Sequence, residues 1–208
     1  RLCALVVVVL AALPFPARAQ APSWDQLIRD ARRALLNGRP GDAERDSRAA
    51  LAEAERFGPT DPRLAASLDN LADVLVAQKR HGEAAALYRR SLPLWEAALG
   101  ASNRQVATTL NNLAVALHAQ GAAAEAEPVY RRCLAVWEAV VGPDHRLTGA
   151  CVANLAALYV AEKRFAEALT ALLSSRQAAR TSDQPTIANT TARAAKPARP
   201  AVSTARGA

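Results

Sequence analysis

Histidine, methionine and aromatic side chains are scarce in this sequence, and each scarcity removes something. The three histidines, His81, His118 and His145, share no metal-ligand spacing such as i and i+4 on one helical face, so no metal site is expected. Methionine is absent even from position 1, and the sequence is therefore expected to start inside a longer precursor. Aromatic residues make up 4% of the chain. A nucleic-acid groove clusters cationic charge and usually adds aromatics on which bases stack. The net charge of +7 provides no such cluster: two charges are Arg1 and Arg18, three belong to residues 181–208, and two remain for the residues between. No nucleic-acid partner is expected. A Gly-rich phosphate loop, a nucleophile elbow and a Cys-x-x-Cys pair are also missing. The chain therefore reads as a non-enzyme, with no catalytic residue and no cofactor.

Long apolar runs are almost absent too. The one run, Leu2 to Leu13, has 12 residues, too few for a membrane-spanning helix, which needs about 20. Arg1 precedes it, Pro14 and Pro16 break it, and Ala17-Arg18-Ala19 follows with small residues flanking a cleavage site. Residues 1–19 thus read as a signal peptide, and the chain as exported, periplasmic or secreted, with no stable membrane insertion once cleaved at Gln20. An uncleaved anchor is the alternative. Cys3 lies in this segment. The two remaining cysteines, Cys133 and Cys151, read as small core residues on neighbouring helices, offset by roughly one turn and so without a well-formed disulfide. Residues 181–208, rich in Ala, Thr, Pro and Arg, read as a disordered tail, in which Asn189-Thr190-Thr191 carries a sequon of little weight.

What is abundant is alanine, leucine and repetition. Asn-Leu-Ala occurs at Asn70, Asn112 and Asn154, a step of 42 residues. Gly58, Gly100 and Gly142 keep that step, as do Ala84, Ala126 and Ala168, Tyr88 and Tyr130, and Trp95 and Trp137. Within one unit, Val106, Leu110, Leu113, Ala114 and Leu117 recur at three- and four-residue spacing and define one face of a helix. Gly121 stops it. Ala126, Val129, Tyr130, Cys133, Leu134 and Trp137 define a second helix, which Gly142-Pro143 closes. Pro128 is placed in the first turn of that helix, and Pro93, in mid-helix, should kink its own. Four helical hairpins follow, at about 23–58, 62–100, 104–142 and 146–180. One hairpin cannot bury both its faces, so neighbours stack.

These residues resemble the tetratricopeptide repeat, in the longer form found in kinesin light chains. Leu155-Ala156 with Tyr159 matches the family's first-helix motif, and Ala126, Tyr130, Cys133 and Leu134 match its second-helix motif. Leu75 and Leu117 stand where the family prefers Tyr, and His81 and Ala123 stand where Phe165 fits. The resemblance covers about residues 23–180. It implies an all-α, right-handed superhelical solenoid with first helices on the concave face and second helices on the convex one.

The polar residues at fixed register are the candidate site. Asparagine is a poor residue for a helix interior, so Asn70, Asn112 and Asn154 at one register ask for a reason. The side chain offers both donor and acceptor, which suits a peptide main chain, and the resemblance implies that role. A bond to the neighbouring hairpin is the equally open alternative. Asp69 and Asp73 form an acidic pair one turn apart, and with Asn111 and Val115 they are the variable groove positions that would set selectivity. Arg89-Arg90 and Arg131-Arg132 read as ion-paired surface. The function that follows is a scaffold holding a protein or peptide in the concave groove. Leu169, Leu172 and Leu173 on an uncovered last helix raise a second possibility, self-association through the terminal hairpin into a homo-oligomer.

Overall fold

The computed structural model of the protein describes residues 22–182, with side chains through Ser174. The expected signal segment with Cys3, its expected cleavage site and all but the first two residues of the expected tail, Asn189 included, lie outside the described residues. Among the described residues eight helices follow one another: α1 (Trp24–Leu36), α2 (Pro40–Glu55), α3 (Pro62–Ala77), α4 (His81–Leu99), α5 (Arg104–Ala119), α6 (Ala123–Val141), α7 (Arg146–Ala161) and α8 (Phe165–Ser182). Each packs against the next in sequence. They form four hairpins in a solenoid.

Local chemistry sets where these helices begin and end. First helices start at a residue whose side chain accepts a backbone N–H of the first turn: Ser23, Asp61, Asn103 and His145. Such a cap satisfies one of the orphan donors at a helix start. His145 thus has a structural task, accepting Leu147 N–H on Nδ1 at 3.1 Å. Every hairpin turn passes through a residue in the left-handed region: Gly38, Lys79, Gly121 and Lys163, at φ 68°, 63°, 88° and 59°. Glycine suits that geometry, and the two lysines adopt it despite their Cβ.

The placement of Pro128 needs a correction. α6 starts at Ala123, so Pro128 lies in its second turn rather than its first, and α4 continues through Pro93 to Leu99. Both rings are exposed, as are Arg89 and Ala124, whose carbonyls lose their helical partners. Water can bond those carbonyls, which lowers the usual cost.

The core runs along the stack rather than into a centre. Leu71, Leu75, Tyr88, Leu110, Leu117, Tyr130 and Tyr159 are buried in one continuous cluster. Burying each such side chain is worth about 1.5–3 kcal/mol. Ala43, Ala84 and Ala126 are fully buried at one register of the second helices, where a larger side chain would push the helices apart. The first hairpin follows the others at a step of 41 rather than 42, as Gly38 and Lys79 show, and Ser47 stands where Tyr88 and Tyr130 stand later.

Ion pairs tie successive hairpins. Arg80 meets Glu44 at 2.9 Å, and at the equivalent seam Arg164 meets Glu127 at 2.6 Å. The middle seam has Ala85 and Ala122 at those positions. It is instead bridged by Arg89 to Glu125 and by Arg132 to Glu96. Hydrogen bonds from Arg48, then Gln78 and Arg80, hold the Glu44 carboxyl at about 2. A carboxyl depressed in the folded state stabilises it above its unfolded pKa, and that contribution disappears as pH falls from about 4.5 towards 2. Glu44→Gln should lower Tm at pH 7 by up to about 2–4 °C. The deficit should shrink steadily as thermal melts are taken down to pH 2, and a constant deficit would place Glu44's contribution elsewhere.

Candidate functional site

First helices approach each other more closely than second helices do. α1 touches α3, and α5 touches α7. Short side chains cross these gaps, as Asp69 to Thr109 and Asn154 to Asn111 do, whereas α4 and α6 are joined by long arginine–glutamate pairs. The first-helix side is therefore the inner side of the stack. Two pockets open there. One, of 310 Å³, is lined by Arg32, Ala66, Asp69, Asn70, Gln105 and Thr108, with Trp95 behind. The other, of 140 Å³, is lined by Val76, Tyr88 and Val115. Asp73 and Asn112 belong to both.

Of the residues singled out from the sequence, Asp69, Asn70, Asp73 and Asn112 meet here, whereas Asn111 and Asn154 pair with each other outside the two pockets, and they do different things. Asp69 is buried and accepts four side-chain donors. Ser91 donates to Oδ1; Trp95 Nε1 at 2.8 Å, Thr109 Oγ at 2.8 Å and Gln105 Nε2 at 3.3 Å donate to Oδ2. One carboxylate thereby joins α3, α4 and α5. Burial pushes its carboxyl above the usual carboxylate range, and the bonds from Ser91, Thr109, Trp95 and Gln105 oppose that shift. Asp73, one turn later, stays exposed. It accepts Tyr88 O–H at 2.5 Å and Asn112 Nδ2 at 3.4 Å, both on Oδ1. Crowding by the surrounding protein pushes its carboxyl up too, but this group is open to water and the effect is screened.

The asparagines divide in the same way. Asn70 is buried, and its Oδ1 accepts Ser47 O–H at 2.8 Å, tying the first hairpin to the second. A serine at a tyrosine position leaves the space into which Asn70 packs. Asn112 is half-buried, with long hydrogen bonds to Asp73 and Asn111, both at 3.4 Å, and the Tyr88 hydroxyl beside it. Asn154 donates to Asn111 Oδ1 at 3.0 Å. Asn112 therefore holds its partners more loosely than Asn70 and Asn154 hold theirs.

Four residues were missed. Ser91, Trp95, Gln105 and Thr109 complete the Asp69 cluster, and the signal for them was register. Cys133 and Cys151 occupy the next seam at the positions of Ser91 and Thr109. Both cysteines are buried and free. The adjoining Cys151 thiol, followed by burial, pushes the Cys133 thiol well above its ordinary range, which removes thiolate reactivity. Among the described residues no three His, Cys, Asp or Glu side chains group to hold a metal, and no helix is long and apolar enough to cross a membrane.

A family model described as tetratricopeptide repeat matches residues 34–97 and 105–181. No curated protein matches the chain. Among solved structures, a putative kinesin light chain of Podosopora anserina with nearly identical TPR-like repeats aligns at 22% identity and TM-score 0.69, covering 82% of this chain and 81% of its own. BtubC of P. vanneervenii aligns at 19% identity and TM-score 0.60, covering 88% and 86%. A TPR-like protein of Chlorobium tepidum aligns at 21% identity and TM-score 0.51, covering 65% and 94%. At these identities the likeness establishes the fold.

Asp69→Ala should strand three buried donors, Ser91, Trp95 and Thr109, and cost about 2–4 kcal/mol, with Asp69→Asn intermediate because one acceptor oxygen survives. Denaturant unfolding measures both. An Asp69→Ala variant within about 0.5 kcal/mol of the parent would show that Asp69 does not hold the seam.

Proposed function

This chain belongs to the tetratricopeptide repeat family, and from that premise we propose that it is an exported, non-enzymatic scaffold that holds an extended protein or peptide segment in its concave groove. The family supplies protein-interaction scaffolds, and the finer reading rests on the groove's own chemistry. The observation that carries it is Asn112. Its amide sits half-buried between two pockets, its hydrogen bonds to Asp73 and Asn111 are both long at 3.4 Å, and a peptide main chain can compete for them. Asn70 and Asn154, one step away on either side, are occupied by Ser47 and Asn111 and frame that position. The apolar run and Ala17-Arg18-Ala19 motivate export. Amino-terminal sequencing of the exported protein should begin at Gln20.

A second reading has its own support. On α8, Phe165, Leu169 and Leu173 are 62%, 57% and 52% exposed and recur every four residues, forming an apolar stripe on the last hairpin. A second copy of the chain could cover it, which sedimentation velocity would register as a concentration-dependent dimer.

Asn112→Ala separates a main-chain contact from a seam contact. Loss of one hydrogen bond to a bound peptide should weaken binding by about 0.5–1.5 kcal/mol while Tm stays within a degree or two. Calorimetry of binding and thermal melts on the same variant measure both. A fall of several degrees in Tm with unchanged affinity of the folded fraction would assign Asn112 to the seam and end the main-chain role.

A further inference from the structure

The groove has a chemically distinct compartment. Asp73 stands in the smaller pocket with Tyr88 beneath it and Val76, Asn112 and Val115 around it. Its Oδ1 is taken by Tyr88 and Asn112, whereas its Oδ2 accepts no hydrogen bond from the described residues. No cation forms an ion pair with it, in contrast to Glu44, Glu96, Glu125 and Glu127, and Arg32 across the adjoining pocket acts on it only through space. The pocket thus has an apolar wall of two valines, an open carboxylate oxygen, and a buried tyrosine that fixes the carboxylate's orientation.

We propose that this compartment is a subsite for one basic side chain, lysine or arginine, of the peptide bound in the groove. The proposal rests on the groove reading above. A basic side chain lays its methylene stem along apolar surface and keeps its charge at the end. Val76 and Val115 offer that surface and Asp73 Oδ2 the counter-charge, with a charge-assisted hydrogen bond stronger than a neutral one. The register limits the preference to one position. Val115 and Ala157 stand at the equivalents of Asp73 in the next two hairpins, so no row of carboxylates exists to read a basic run. Arg32 lines the adjoining larger pocket and repels a second cation there. The ligand is therefore a peptide with a single basic anchor, followed by small or apolar residues toward α7.

A phage-displayed random dodecapeptide library, panned on the whole protein and on Asp73→Asn, tests this. Asparagine keeps the shape and an acceptor for Tyr88. The parent should enrich peptides sharing one Lys or Arg position, and Asp73→Asn should lose that enrichment. A synthetic consensus peptide should bind the parent about tenfold or more tightly than its norleucine analogue, a difference that vanishes on Asp73→Asn. If Asp73→Asn unfolds, Val115→Lys places a resident cation beside Asp73 and should abolish the preference in its place. Peptides enriched without a basic position, or a preference that survives both variants, overturn the subsite and leave the groove reading intact. Failure to enrich any peptide overturns both.

Discussion

A helical hairpin has two faces to bury and only one internal partner, so the seam between hairpins carries the stability of this protein. The same register positions meet at each seam, and the sequence fills them differently. At the first, Ser67 takes a hydrogen bond from Trp24 at 2.7 Å, and Ser47 bonds Asn70. At the second, Asp69 gathers Ser91, Trp95, Gln105 and Thr109. At the third, Cys133 and Cys151 pack together and their neighbours are apolar. The outer side repeats the pattern with longer side chains, Glu44 to Arg80, Arg89 to Glu125, and Glu127 to Arg164. Short links inside and long links outside leave the first helices closer together, and that curvature makes the groove.

Much of the fold was legible because it depends on period. Asn-Leu-Ala at a step of 42 lies on α3, α5 and α7, and Gly38 and Gly121 mark turns where glycine is favoured. Lys79 and Lys163 hide two equivalent turns, since lysine rarely adopts a positive φ. Pro128 misplaced a boundary because an exposed ring in the second turn costs less than an interior one. The site was less legible. Asp69 and Asp73 look alike in sequence, yet one is a buried junction and the other an open acceptor. Only the coincidence of Ser91, Trp95 and Thr109 at a single seam distinguishes them, and that coincidence is visible only after the helices are stacked.

The groove is therefore built from residues that the seam does not consume. Asp69 and Asn70 line it but spend their hydrogen bonds on the fold. Asp73 and Val115 lie one turn further along, and Asn112, at the register of Asn70, has only long bonds to its neighbours. Structure and recognition share adjacent turns of α3 and α5. Stability and binding should accordingly separate between neighbouring residues rather than between distant regions.

Photo-crosslinking at single positions tests the central claim most directly. A photoreactive residue would replace Val115 in the groove, Arg90 on α4, or Leu169 on α8, with the protein expressed in its host. A scaffold that binds through the groove predicts one discrete adduct from position 115 and none from 90. Adducts only from position 169, with the mass of a second copy, would contradict it and make the terminal stripe the working surface.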